Sequence, residues 1–151
     1  MEENESKLRN RNGRPVRYLV VDDSAFARKN LGRMLQKIGG EVVGEAIHGL
    51  EAIQQFDRLR PDIVFMDVTM PEMEGIAAAE QIIRHHPEAR IVMVASVGDD
   101  ENVSVALRKG VRHFLRKPTS PELLYDVIHH LLSVEDVPAR ATSVEREANE
   151  N

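Results

Sequence analysis

The sequence predicts an α/β protein in which five strands alternate with five helices, a (βα)5 unit that folds as a doubly wound parallel sheet. Two observations lead to this fold class: apolar residues switch repeatedly between strand-like and helix-like spacing, and Gly or Pro stands at many of the joints. A third is that the apolar runs at residues 18–21, 63–66 and 91–95 are unbroken and rich in β-branched side chains. Such runs are typical of strands that are buried on both faces of a parallel sheet.

The other strands and the helices follow from the intervening sequence. Residues 41–46 and 111–115 are more interrupted, which predicts edge strands. Before the last helix, Ser120 is expected to act as the N-cap, with Pro121 at the first helical position. Two helices are predicted from apolar stripes at helical spacing, the first formed by Ala27, Leu31, Met34, Leu35 and Ile38 and the last by Leu124, Val127, Ile128 and Leu131.

Composition restricts the class of protein. The chain has 151 residues, no cysteine and a formal net charge of −5, which excludes a disulfide scaffold and thiolate chemistry. Its apolar runs reach only about five residues, whereas a membrane span needs roughly 20, and a net-acidic chain is a poor non-specific ligand for nucleic acid. Residues 1–15 and 134–151 are polar and charged, and we expect them to be disordered tails on either side of one domain, residues 16–133.

Polar residues at the ends of the predicted strands mark the candidate site, because ligands bind at the carboxyl ends of the strands in such sheets. These residues are Asp22 and Asp23 after the first strand, Asp67 after the third, Ser96 after the fourth and Lys117 after the fifth. Three carboxylates at one edge repel one another unless a cation binds, and oxygen ligands that leave room for water favour Mg²⁺. The alternative is that Asp22 and Asp23 simply cap the helix that follows them.

Asp67 is the candidate nucleophile of this site. A carboxylate can accept a phosphoryl group as a mixed anhydride, and a metal ion together with Lys117 as a point charge would offset the negative charge of the transferred group. The hydroxyl of Ser96 could reach a phosphoryl oxygen, or Ser96 could cap the next helix, for which Asp99 and Asp100 are nearer candidates.

Residues 16–133 resemble the receiver domain of two-component response regulators, and among them the stand-alone chemotaxis-type regulators. The resemblance is carried by motifs in a fixed order: Val20-Val21-Asp22-Asp23-Ser24, Ala46-Ile47-His48-Gly49-Leu50-Glu51-Ala52, Pro61-Asp62, Asp67-Val68-Thr69-Met70-Pro71-Glu72-Met73-Glu74-Gly75, Ala95-Ser96 and Phe114-Leu115-Arg116-Lys117-Pro118. It implies a flavodoxin-like sheet with strand order 2-1-3-4-5.

The resemblance also implies a mechanism. Asp67 would take a phosphoryl group from a phosphohistidine on a sensor histidine kinase or a phosphotransfer protein, with Mg²⁺ held by Asp22, Asp23, Asp67 and the backbone carbonyl of Thr69. Lys117 would pair with the phosphoryl group, Ser96 would move to hydrogen-bond it, and Phe114 would turn inward and repack the surface of the fourth helix, fifth strand and fifth helix. That two-state surface would bind a downstream target protein. The 18 residues after Ser133 are too few for a DNA-binding or enzymatic output domain, so we expect signalling by protein contact. With the composition, this predicts a cytoplasmic protein that contacts neither membrane nor nucleic acid directly and has no enzymatic activity beyond its own phosphorylation and dephosphorylation. The Lys117–Pro118 bond is commonly cis in this family.

Three residues depart from the family pattern. His48 occupies a turn position where the family usually has Asn or Asp, residues that tolerate left-handed backbone better, and Gly49 would absorb the strain. Val97 is larger than the usual Ala or Gly and would slow hydrolysis of an aspartyl phosphate by narrowing access to it. Phe114 lacks the hydroxyl of the Tyr that is often found there, so its inward packing would depend on apolar burial alone.

Two other functions fit an α/β protein with these residues. A Mg²⁺-dependent phosphatase or phosphotransferase acting through an aspartyl phosphate usually carries its nucleophile on the first strand and needs a cap domain, whereas here the candidate nucleophile follows the third strand. A flavodoxin that binds a mononucleotide needs a Ser/Thr-rich phosphate loop after the first strand, where Asp22 and Asp23 would repel the phosphate.

Overall fold

A computed structural model of the chain describes residues 8–68, 70 and 74–133. Within this part, five parallel strands form one sheet in the order β2-β1-β3-β4-β5, which confirms the predicted fold class and strand order. The strands are β1 (Arg17–Val21), β2 (Glu41–Ala46), β3 (Ile63–Asp67), β4 (Ile91–Ala95) and β5 (His113–Arg116). The interrupted runs predicted as edge strands, β2 and β5, lie at the two edges.

In the part of the chain that the structure describes, five helices cover both faces of the sheet. They are α1 (Ala25–Ile38), α2 (Gly49–Leu59), α3 (Glu74–His85), α4 (Asp100–Arg108) and α5 (Pro121–Ser133). Successive strand residues alternate between two buried clusters, as the pleat requires. One cluster joins the sheet to α1 and α5, with Leu35 and Leu124 among its members, and we call this side the α1–α5 face. The other joins it to α2, α3 and α4, with Phe56, Ile82 and Val103, and we call it the α2–α4 face.

The predicted helix signals are present in the structure. The first apolar stripe forms α1, in which Leu35 is fully buried. The last stripe forms α5, and Ser120 Oγ accepts a hydrogen bond from Leu123 N at 3.2 Å, as expected of an N-cap. Among the described residues, no helix is both long enough and apolar enough to cross a membrane.

The fifth strand begins two residues later than predicted. The backbone N–H of Val111 donates to the carbonyl of Ala106 at 3.1 Å, so Val111 still belongs to the turn that ends α4. Its apolar side chain is buried beneath that turn, and pairing with β4 starts only at His113. Burial of an apolar residue in a turn produced the strand-like pattern.

The amino-terminal residues 8–15, predicted to belong to a disordered tail, are ordered and packed. Leu8 is 5% exposed and joins the cluster on the α1–α5 face, and Arg9 pairs with Pro15 in an isolated antiparallel bridge. The prediction was wrong for these residues because one buried leucine and a hydrogen-bonded turn are enough to fix a short segment against an existing core. The rest of the predicted tails, residues 1–7 and 134–151, lies outside the described residues.

His48 adopts extended backbone, with φ −157° and ψ 176°, so the expected left-handed strain at this position does not occur. The residue is the N-cap of α2, and its ring nitrogen Nδ1 accepts a hydrogen bond from Glu51 N at 3.2 Å. The imidazole nitrogen therefore accepts the capping hydrogen bond that an Asn or Asp oxygen accepts at other N-caps.

Candidate functional site

Asp67 is the last residue of β3, the central strand of the sheet, and its carboxylate lies at the carboxyl end, as predicted from the sequence. The residue is only 4% exposed. Its backbone is fixed by the neighbouring strand, since Asp67 is in register with Val94 and the next residue, Val68, donates to the Val94 carbonyl at 3.1 Å. A buried carboxylate in this position is costly unless charged partners surround it.

Asp22 and Asp23 lie beside Asp67, just beyond the end of β1. Asp22 is 6% exposed, and its Oδ1 accepts a hydrogen bond from Ser24 N at 2.8 Å. The N-cap of α1 is Ser24, whose Oγ accepts from Ala27 N at 3.1 Å. The alternative interpretation of the aspartates as helix caps is therefore wrong, because that function is already performed by Ser24.

Carboxylate oxygens of Asp22, Asp23 and Asp67 all lie within 4.8 Å of one another. Asp23 is exposed, whereas the other two are buried, so the cluster is open to solvent on one side. Three hard oxygen donors with an open side match the preference of Mg²⁺ for a few carboxylates plus retained waters. Thr69, whose carbonyl was expected to be a further ligand, lies outside the described residues.

Lys117 brings a positive charge to the same cluster. It follows β5, its backbone N–H donates to the carbonyl of Ala95 at 2.7 Å, and the Lys117–Pro118 bond is cis as expected. Its Nζ lies 3.3 Å from Asp22 Oδ2 and 3.5 Å from Asp67 Oδ2. Burial alone would lower the pKa of the ammonium group, but the charges of Asp67 and Asp22 and the hydrogen bonds to them raise it above its usual value.

Ser96 lies one residue beyond the end of β4 and lines the same cavity as Asp67 and Lys117. It does not cap α4, whose N-cap is Asp99. The two residues are instead joined by two hydrogen bonds: Ser96 N donates to Asp99 Oδ2 at 2.7 Å, and Asp99 N donates to the Ser96 carbonyl at 3.2 Å. Together with Gly98, which has a φ of +95°, they form a closed turn between β4 and α4.

Phe114 lies in β5 and does not line the cavity that Ser96 lines. In β4, Met93 and Ala95 face the α2–α4 cluster, against which the half-buried Phe114 also packs. Val94 belongs to the cluster on the α1–α5 face. The residue at the end of β4 that shares a face with Phe114 is Ala95, which has no hydroxyl.

The cavity beside the carboxylates has a volume of about 650 Å³ and mostly apolar walls. Its rim includes Phe26 of α1, 78% exposed, and Val97 after β4, 95% exposed. Thr119 also lines it, with a buried hydroxyl that has no hydrogen-bond partner among the described residues. Sequence reasoning missed Phe26 and Thr119, although both lie within four residues of a strand-end residue that it did select.

Gly75 is a further residue whose importance the sequence concealed. It lies in the first turn of α3, and a Cβ added there would come within 2.6 Å of the backbone oxygen of Asp67. Close approach of helix and strand, rather than an unusual φ angle, therefore requires glycine at this position. The short distance fixes the backbone of the candidate nucleophile against α3.

Comparison with known proteins agrees with this geometry. The profile of the response regulator receiver domain family matches residues 18–129. The chemotaxis protein CheY of Thermotoga maritima is 41% identical over 113 residues, which cover 75% of this chain and 94% of that protein. The corresponding protein of Bacillus subtilis is 38% identical over 117 residues, with 78% and 98% covered.

Solved structures give the same result. A CheX-CheY-BeF3-Mg²⁺ complex from Borrelia burgdorferi contains a chain with a TM-score of 0.75 and 30% identity, with 82% of this chain and 93% of that chain covered. The response regulator domain of Thermotoga maritima CheB has a TM-score of 0.73 at 34% identity, with 81% and 99% covered. The chain therefore belongs to the response regulator receiver domain family, whose CheY-like members are signalling proteins.

Proposed function

We propose that this receiver accepts a phosphoryl group on Asp67, in a Mg²⁺-dependent reaction, from a phosphohistidine on a sensor histidine kinase or a phosphotransfer protein. The observation that carries the proposal is the placement of Asp67: a buried carboxylate at the end of the central strand, 3.5 Å from the Lys117 ammonium and beside Asp22 and Asp23. A lone structural aspartate would not need two further acids next to it.

In the proposed reaction a carboxylate oxygen of Asp67 attacks phosphorus, the phosphorus–nitrogen bond of the donor breaks, and the imidazole leaves with the electron pair and takes up a proton. Mg²⁺ bound by Asp22, Asp23, Asp67 and the Thr69 carbonyl would neutralise charge on the phosphoryl oxygens. Lys117 holds a second positive charge within reach of the same group. Water later cleaves the new phosphorus–oxygen bond, which restores the carboxylate and releases phosphate. Apart from this turnover of its own phosphoryl group, we assign no enzymatic activity to the chain.

The proposed output is a change at the surface formed by α4, β5 and α5. Ser96 lines the same cavity as Asp67, and its hydroxyl would hydrogen-bond a phosphoryl oxygen. Phe114 lies under the Arg116 guanidinium, 5.5 Å from ring centroid to Cζ, and Arg116 also pairs with Asp100 at the start of α4. An inward turn of Phe114 would therefore break a cation–π contact and alter how β5 meets α4. A downstream target protein would bind this surface in one of its two states.

The similarity to the Borrelia burgdorferi complex supports a Mg²⁺ site and protein partners. In that complex CheY is found together with Mg²⁺, a beryllofluoride group and a second protein, CheX. We infer by similarity that this chain also acts through Mg²⁺ and protein contacts, in the cytoplasm, and binds neither membrane nor nucleic acid directly.

Mass spectrometry tests the proposal. The chain would be incubated with Mg²⁺ and a small phosphodonor such as phosphoramidate, and the modified residue located in peptides. We expect one added phosphoryl group, on Asp67, that does not form when EDTA removes the metal ion before the phosphodonor is added. Asp67→Asn should not be labelled, whereas Asp126→Asn, a change at an exposed aspartate of α5, should be labelled like the wild type. An unlabelled wild-type protein, or an Asp67→Asn variant that is labelled equally well, would refute the assignment.

A further inference from the structure

The amino-terminal residues 8–17 carry four arginines and no acidic residue. We call this segment the arginine hairpin. It precedes the part of the chain that matches the receiver family, which begins at residue 18. Its charge is therefore a property of this chain, separate from the phosphorylation site at the opposite end of the sheet.

The arginine hairpin has a fixed shape. Asn10 Oδ1 accepts hydrogen bonds from Asn12 N at 2.9 Å and from Arg14 N at 3.1 Å, and the Asn10 carbonyl accepts from Gly13 N at 2.9 Å. Gly13 has a φ of +76°, a left-handed conformation that glycine adopts without strain. Leu8 anchors the start of the segment in the core. The arginines are thus presented by a folded turn, so that binding through them costs less backbone entropy than it would from a flexible segment.

The hairpin is tied to the amino ends of β1 and β3. Asp62 Oδ2 accepts hydrogen bonds from Asn10 Nδ2 at 3.2 Å and from the backbone N–H of Arg17 at 2.8 Å, and Arg17 Nη1 donates to the Arg60 carbonyl at 3.0 Å. Both groups that donate to Asp62 Oδ2 are uncharged N–H groups. Arg9, Arg11 and Arg14 have exposed side chains.

The segment that follows α5 starts at this same end of the sheet. In a parallel sheet the helices run opposite to the strands, so α5, which follows β5, ends near the amino ends of the strands. The buried cluster on the α1–α5 face agrees, since it contains both Leu8 and Leu131. After Ser133 the chain continues with residues 134–151, which contain two arginines and five acids: Glu135, Asp136, Glu145, Glu147 and Glu150.

We propose that the arginine hairpin is the docking site for residues 134–151 of the same chain, held by ion pairs between its guanidinium groups and their carboxylates. The arginine hairpin has a net charge of +4. Residues 134–151 carry two positive and five negative charges, so their net charge is −3. Residues 1–7 add three acids and one lysine, which leaves residues 1–17 at +2. The hairpin and the segment that follows α5 therefore carry opposite net charges.

Residues 134–151 are covalently linked to the hairpin, and this favours them over a separate protein or nucleic acid as its ligand. Two acids follow α5 immediately, and Glu147 lies fourteen residues past Ser133, a length that spans at most roughly 45 Å. A covalently linked segment acts at an effective concentration in the millimolar range, which a free acidic protein seldom reaches. A nucleic acid would be repelled by the chain as a whole, with its net charge of −5.

Because the chain has no cysteine, a spin label can be placed at one engineered site. In Ala148→Cys carrying a nitroxide, we expect the backbone NMR signals of Asn10, Asn12 and Gly13 to lose most of their intensity at low salt. The intensity should return in about 1 M salt, where the Debye length is only about 3 Å. Mixing labelled, isotope-free chains with unlabelled ¹⁵N chains distinguishes the same chain from a second copy, since docking within one chain leaves the ¹⁵N signals of the mixture unchanged.

Charge variants complete the test on the full chain. Replacing Arg9, Arg11 and Arg14 together by Gln should abolish the signal loss at Asn12 and Gly13, whereas Arg33→Gln on the exposed side of α1 should preserve it. The proposal is overturned if the spin label leaves the hairpin signals unchanged at low salt, if the triple variant keeps the effect, or if signal loss occurs only in the mixed sample. Perturbation of the hairpin amides by a short duplex DNA, without any effect of the spin label, would assign the surface to nucleic acid instead.

Discussion

The contact between Gly75 and the backbone of Asp67 gives a quantitative prediction for Gly75→Ala. The added Cβ would lie 2.6 Å from the Asp67 carbonyl oxygen, whereas Cβ atoms in proteins keep at least 3.0 Å from such neighbours, so α3 and β3 must separate by at least 0.4 Å, the difference between the two values. The other close neighbour, Met70 Cε at 3.3 Å, is the end of a flexible side chain and can move. The strain therefore falls on the backbone of the candidate nucleophile.

Two free energies oppose each other in this variant. Overpacking of this kind costs about 1–3 kcal/mol, while replacing glycine by alanine in a helix gains up to about 1 kcal/mol. We expect a net loss of up to about 2 kcal/mol in the free energy of unfolding, measured by urea denaturation. The rate at which Asp67 is phosphorylated should fall by more than the loss of stability accounts for. A displacement of about 1 Å at a reacting group can lower a reaction rate on the order of a hundredfold.

Gly32 provides the matched control, since it lies inside α1 and a Cβ there would have only Val42 Cγ2 near it, at 3.8 Å. Gly32→Ala should therefore stabilise the protein by about 0.5–1 kcal/mol and leave the rate of labelling by phosphoramidate unchanged. If Gly75→Ala proves as stable as Gly32→Ala and is phosphorylated at the wild-type rate, the reasoning from this contact is wrong.

Three further predictions concern single side chains. Lys117→Ala should slow labelling of Asp67 about a hundredfold, the usual cost of removing one electrostatic donor from a reacting group; a time course by intact-mass spectrometry measures this, and an unchanged rate would exclude Lys117 from the reaction. Ser24→Ala removes the N-cap of α1 and should lower the free energy of unfolding by about 1 kcal/mol without preventing phosphorylation, whereas a larger loss of activity than of stability would show that Ser24 acts on the site directly. Leu8→Ala should cost about 2–4 kcal/mol if the arginine hairpin is anchored as described, and denaturation midpoints that do not change would contradict its burial.

Most of the sheet could be predicted because its three central strands are buried on both faces, and burial on both faces leaves an unbroken apolar run in the sequence. The start of β5 was misplaced because Val111 is apolar for a different reason, burial beneath the turn that ends α4. The order of residues 8–15 was missed because it depends on contacts with residues distant in sequence, among them the hydrogen bond from Asn10 to Asp62. The composition of a segment contains no information about its contacts with residues that are distant in sequence.

The candidate site, like the sheet, could be predicted in part. Asp22, Asp67 and Lys117 were found because strand ends of a parallel sheet converge, and the structure places the Lys117 ammonium 3.3 and 3.5 Å from the two carboxylates. The side of the sheet that each strand-end residue faces was not predictable, since a shift of one residue in the end of a strand moves a side chain to the opposite face. The joint action of Ser96 and Phe114 was expected from the resemblance to receiver domains, not from the strand pattern, and it stays a prediction.

Under the proposed function, hydrogen bonds give a phosphoryl group on Asp67 a route to the surface formed by α4, β5 and α5. The turn between β4 and α4 is a direct route: Ser96 and Asp99 share two hydrogen bonds, and the Asp99 carbonyl accepts from Val103 N at 2.9 Å as α4 begins. A turn closed in this way moves as one unit, so a displacement of Ser96 toward a phosphoryl oxygen would shift the start of α4. The inward turn proposed for Phe114 would accompany that shift of α4.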